Sequence, residues 1–157
     1  MTREEKFMHE AVLLSENGIN KSDGGPFGCV IVKQNKIIGR GHNKVTSTND
    51  PTAHAEIIAI REACKTLETF QLDGCEIYTS CEPCPMCLGA IYWARPDVVY
   101  FANTRKDAAE IGFDDSMIYD EINAKMEERK IPLINLHNEN AKEIFHKWKE
   151  KNDKMIY

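Results

Sequence analysis

The sequence lacks any apolar run long enough to cross a bilayer. Its longest runs, such as Val98-Val99-Tyr100-Phe101-Ala102, stop far short of the roughly 20 residues a spanning helix needs. The amino terminus, Met1-Thr2-Arg3-Glu4-Glu5-Lys6, is charged and carries no apolar segment of the secretory type, so a cytoplasmic protein with no membrane partner is expected. Positive charge is also scarce. The chain has 20 Lys and Arg against 25 Asp and Glu, a net −5, whereas nucleic-acid binding by counterion release needs a basic face. No repeat, low-complexity tract or dividing linker interrupts the 157 residues. A chain of this length fits one domain, 1–157, and can bury about two thirds of its unfolded surface.

Six cysteines are present, at 29, 64, 75, 81, 84 and 87. Without a secretory signal they are not expected to form disulfides. Three crowd into Cys81-Glu82-Pro83-Cys84-Pro85-Met86-Cys87, which points to metal ligation; the other three sit in apolar or helical settings that suit small core residues.

Local pattern places the elements. Thr2-x-x-Glu5 is a capping box opening a helix with Phe7, Met8, Ala11 and Leu14 on one face, expected to stop at Gly18. Val30-Ile31-Val32 and Ile37-Ile38, joined at Gln34-Asn35-Lys36, read as a hairpin. Pro51 introduces a helix carrying Ile57, Ile58, Ile60 and Ala63. Residues 76–79 and 98–102 read as strands, with helices over 85–95 and 106–111. A fifth strand is expected over 131–136, and Asn140-x-x-Glu143 would cap a terminal helix within 140–157. Strands alternating with helices predict a mixed sheet covered on both faces, an α/β protein whose ligand site lies beyond the carboxyl ends of strands.

His54-Ala55-Glu56 stands at one helix start, and Pro83-Cys84-Pro85-Met86-Cys87 opens another. Cysteines at i and i+3 in a first helical turn point the same way, where the helix dipole favours their thiolates. With one imidazole they make a Cys₂His set suited to Zn²⁺, and three protein ligands leave a fourth position for water. Glu56 is placed to carry that water's proton. The alternative is a closed structural site with Cys81 as fourth ligand, a non-catalytic module that would leave Glu56 without a role.

His-x-Glu followed by Pro-Cys-x-x-Cys resembles the signature of zinc-dependent nucleobase deaminases. The runs 49–56 and 79–87 resemble the cytidine-deaminase-like superfamily, and 87–96 with 108–116 looks more specifically like the small bacterial guanine deaminases. That resemblance implies a three-layer α/β/α sandwich on a mixed five-stranded sheet. It further implies hydrolysis of guanine to xanthine and ammonia, with zinc-held hydroxide attacking C2 and Glu56 as proton shuttle. Backbone N–H groups near Ala55 and Cys84 would hold the developing charge. The resemblance also puts Asn43 on the purine edge, Asp115 near the substrate, and Phe27 and Trp93 along the ring. Each has a plainer reading: Asn43 as a turn residue, Asp115 as a helix cap, the two aromatics as core. It implies a homodimer with exchanged carboxyl-terminal segments, so that Tyr157 of the partner subunit closes the pocket; the plainer reading is a frayed tail. Rival substrates are cytosine, guanosine or another aminated heterocycle, and the adenosine of a tRNA.

Overall fold

The computed structural model describes all 157 residues, in two compact units, Met1–Ser116 and Met117–Tyr157. The first is built around a four-stranded sheet. In chain order it contains α1 (Arg3–Asn20), β1 (Gly28–Lys33), β2 (Lys36–His42), α2 (Val45–Thr48), α3 (Ala55–Leu67), β3 (Cys75–Cys81), α4 (Pro85–Ala94), β4 (Val98–Asn103) and α5 (Arg105–Glu110). The strands lie in the order β2-β1-β3-β4; β1 is antiparallel to both neighbours, and β3 is parallel to β4.

Period-two alternation divides the sheet's residues between two cores. Val30, Val32 and Tyr78 face α1, meeting Ala11 and the flanking Phe7, Met8 and Leu14. Cys29, Ile31, Cys75 and Ile77 face α3 and α4, packing on Ala55, Ala59, Ala63, Ile91 and Ala94. The result is helix, sheet and helix in three layers. Thr79, two residues beyond Ile77, points the same way as Ile77, toward α3.

Two glycines of β2 set how close α3 can lie. A Cβ at Gly41 would fall 2.1 Å from the Ala55 carbonyl oxygen, and one at Gly39 would fall 2.4 Å from that of Ala59. The backbone of α3 therefore rests directly on the strand. The hairpin between β1 and β2 turns through Gln34 and Asn35, with φ of 48° and 63°. Two left-handed residues make the type I′ turn that matches strand twist.

Local expectations hold at several starts. Thr2 and Glu5 form the capping box of α1. That helix passes the expected stop at Gly18 and ends at Asn20; at Gly18 a Cβ would fall 3.0 Å from the His42 ring, so the glycine serves packing and not termination. Thr104 and Asp107 form a second capping box, opening α5 at Arg105.

The second unit contains most of α6 (Ser116–Asn123), a short 3₁₀ turn (Met126–Glu128) and α7 (Glu139–Glu150). The Arg129 guanidinium donates to the carbonyls of Glu121 and Ile122, folding the turn back on α6. Two expectations are corrected. The sheet has four strands and not five: 131–136 is irregular chain with no ladder partner, and Pro132 removes one of the N–H groups a ladder would use. The cap of α7 is Asn138, which accepts from Ala141 N at 3.1 Å, so the helix opens two residues earlier than Asn140-x-x-Glu143 suggested.

Candidate active site

Two helix starts converge beside the end of β3. His54 is the N-cap of α3 and Cys84 the N-cap of α4, and neither side chain caps its own helix. Both are free for other work. The His54 Nδ1 atom lies 3.5 Å from the sulfurs of Cys84 and Cys87 alike. All three donor atoms fall within 4.8 Å of one another. One borderline nitrogen and two sulfurs within that span fit a zinc ion, and three ligands leave the fourth tetrahedral position open.

Electrostatics within the cluster favour one thiolate, at Cys84. The neighbouring Cys87 and His54 side chains pull the Cys84 thiol down to about 4, while Cys87 is pushed upward in return. Cys81 does not join them. Its sulfur faces the Thr104 carbonyl at 3.7 Å, and burial pushes its thiol up to about 11. The four-ligand alternative thus has no support in the geometry. Cys29 and Cys75 are core residues, Cys64 packs against the same core, and all six thiols are unbridged.

Glu56 occupies the first turn of α3 and is only 6% exposed. Burial raises its pKa above the usual carboxylate value. One carboxylate oxygen, Oε1, accepts from the Thr79 hydroxyl at 3.3 Å; the other, Oε2, accepts from the Cys87 thiol at 3.4 Å. A buried carboxylate against three metal-ligating side chains can take and return a proton. Ala55, fully buried, opens the same helix, and its start carries N–H groups with no partner inside the helix.

The other expected residues divide. Asn43 is buried, and its Oδ1 accepts from the N–H groups of Gly25 (3.2 Å) and Val45 (3.1 Å), which commits the amide oxygen to the loop. Phe27 lies next to it through the Asn43 N–H to Phe27 carbonyl bond of 3.0 Å, and meets Phe113 edge to face with centroids 4.9 Å apart. Asp114 accepts from Ser116 N at 2.9 Å, at the start of α6. The Asp115 pKa is raised by burial and by the nearby Cys84 charge. Trp93 is not brought to the cluster. It is 64% exposed and lies nine residues along α4 from Cys84, about 13 Å of helix rise. Tyr157 belongs to the second unit and is 67% exposed. Thr79 and Phe113 are site neighbours that sequence pattern did not single out; only strand parity at Thr79 could have hinted at one.

The cytidine and deoxycytidylate deaminase zinc-binding region matches residues 1–103. Over 153 residues the chain is 55% identical to guanine deaminase of Bacillus subtilis, covering 98% of each protein. The X-ray structure of guanine deaminase from that organism superposes with a TM-score of 0.94, again over 98% of both chains. The tRNA-specific adenosine deaminase of Aquifex aeolicus is 43% identical over 98 residues, 62% of this chain and 64% of that protein. Sequence and backbone agree with the ligand cluster, and the chain belongs to the cytidine and deoxycytidylate deaminase family of zinc-binding proteins.

Proposed function

We propose that this protein hydrolyses guanine, releasing ammonia and leaving xanthine. The observation that carries the chemistry is the Glu56 carboxylate, buried within 3.4 Å of the Cys87 sulfur in the His54, Cys84 and Cys87 cluster. Guanine is favoured over a tRNA because the likeness to guanine deaminase runs through both units, whereas the Aquifex tRNA enzyme matches 98 residues. The net charge of −5 also disfavours an anionic polymer.

Zinc on His54, Cys84 and Cys87 supplies a Lewis acid and lowers the pKa of water held there. The protein's own groups do the rest. Glu56 takes a proton from the attacking water and delivers it to a purine ring nitrogen, then takes the second proton from the new C2 hydroxyl and delivers it to the departing amino group. Water adds at C2, the C2–NH₂ bond breaks, and ammonia leaves. The Asn43 amide nitrogen donates to the purine edge, the Asp115 carboxyl accepts from ring N–H groups, and Phe27 covers the ring.

We further propose a homodimer in which the carboxyl-terminal segments are exchanged and Tyr157 of the partner subunit closes the pocket. Two observations support this. In the first unit, β4 carries exposed Tyr100 and Phe101 on an open sheet edge; in the second, α7 carries exposed Ile144, Phe145 and Trp148. Open edges and apolar helix faces of this kind invite a partner.

Ammonia release is measured from guanine, guanosine, cytosine, adenine and adenosine, with and without chelator. Turnover of guanine alone, lost on chelation, is expected. Glu56→Ala should keep its zinc and lose at least about 100-fold in kcat. Turnover of adenosine in tRNA but not of guanine would overturn the reading.

A further inference from the structure

The mechanism leaves a buried hydroxyl beside Glu56 unused. Thr79 is 1% exposed, in the interior of the sheet, paired with Cys29 of β1 on one side and Phe101 of β4 on the other. Its backbone is therefore fixed by two ladders. Strand parity turns its side chain toward α3, where Oγ1 meets Oε1 of Glu56 at 3.3 Å.

The carboxylate has two side-chain donors, the Thr79 hydroxyl and the Cys87 thiol. They are not equivalent. Cys87 belongs to the ligand cluster, whereas Thr79 lies outside it, on β3. The Thr79 hydroxyl holds one carboxylate oxygen from the sheet, and the other oxygen lies beside the Cys87 sulfur.

We propose that Thr79 is a positioning residue: its hydroxyl pins Oε1 of Glu56 so that Oε2 alone faces the reaction. An unpinned glutamate has several rotamers in a first helical turn. Pinning from a strand rather than a loop gives the tolerance that proton transfer demands, since about 1 Å of misplacement can cost on the order of 100-fold in rate. The inference rests on Glu56 acting as the proton carrier of the proposed reaction.

A purely structural Thr79 and a positioning Thr79 make opposite demands on the side chain. Packing needs the β-branched shape, which Thr79→Val keeps and Thr79→Ser loses. Positioning needs the hydroxyl, which Thr79→Ser keeps and Thr79→Val loses. The three proteins are compared on whichever base of the panel the parent chain deaminates, alongside zinc content and thermal unfolding. For Thr79→Val, kcat should fall about tenfold or more, with KM within about twofold, one zinc per chain and an unchanged Tm. Thr79→Ser should keep kcat within about threefold even where its Tm drops. Full activity in Thr79→Val, or loss in Thr79→Ser equal to that in Thr79→Val, would overturn the assignment. So would loss of zinc or collapse of Tm in Thr79→Val, which would make the hydroxyl a structural group. A parent chain that turns over guanine while Thr79→Val matches it defeats this inference alone, whereas a parent inactive on every base defeats the proposed reaction as well.

Discussion

Asn43 serves the chain and the proposed substrate with opposite ends of one amide. Its oxygen closes the loop by accepting from Gly25 and Val45, and its nitrogen is left over for a ligand. Alanine there would orphan two backbone donors, at about 1–3 kcal/mol each if they stay buried, and so would confuse recognition with folding. Asn43→Asp separates them, because a carboxylate still accepts from both N–H groups but cannot donate. KM for guanine should rise about tenfold while Tm stays within a few degrees, the loss of one donor to the ligand being worth about 1.4 kcal/mol. Steady-state kinetics with thermal unfolding checks this, and an unchanged KM would remove Asn43 from recognition. At this scale the metal ligands and Glu56 were legible, because spacing within a helical turn depends on the local chain alone. Thr79 was not, since its meaning comes from a carboxylate 23 residues away across a sheet–helix interface.

Elements were legible where their signals are local. The Thr2–Glu5 capping box, the Gln34–Asn35 turn and the helix starts at His54 and Cys84 all follow from neighbouring residue types. The strand expected over 131–136 failed for the complementary reason: apolar residues make a strand only when another edge takes their hydrogen bonds. Close approach between elements is likewise invisible in a pattern of apolar residues, yet it governs the site. Because α3 starts against Gly41, a methyl group there would push on the Ala55 carbonyl and displace the turn carrying His54 and Glu56. Gly41→Ala should lower stability by about 1–3 kcal/mol and weaken zinc retention against chelator. Gly89→Ala, in α4 with nothing within 4 Å of its Cβ, should leave zinc binding alone and raise stability by about 0.5–1 kcal/mol. Thermal unfolding and zinc titration of the pair test this; equal behaviour would show that the strand–helix distance is not limiting.

For the whole molecule, size and charge bear on the partners, but they do not say how many chains make a site. The tail Met155-Ile156-Tyr157 follows a polar stretch and is apolar to its end. If it closes the neighbouring pocket, deleting 152–157 should cut guanine turnover at least about tenfold while the truncated chain remains dimeric by sedimentation. Wild-type kinetics in the truncated protein would remove the tail from the site. A monomeric wild-type protein would remove the exchange altogether. The proposed dimer rests on a resemblance, since no local pattern within one chain specifies its contacts with another.

The ligand cluster has a consequence outside chemistry. His54 and Cys84 lie 30 residues apart on the starts of different helices, so one ion joined to both ties off the intervening chain, β3 included. A cross-link closing a loop of that length removes about 3–4 kcal/mol of freedom from the unfolded chain on a chain-entropy model. The ion is then a rivet as much as a reagent. Metal supply in the cell would set how many copies persist intact against proteolysis, before it sets how fast any of them works.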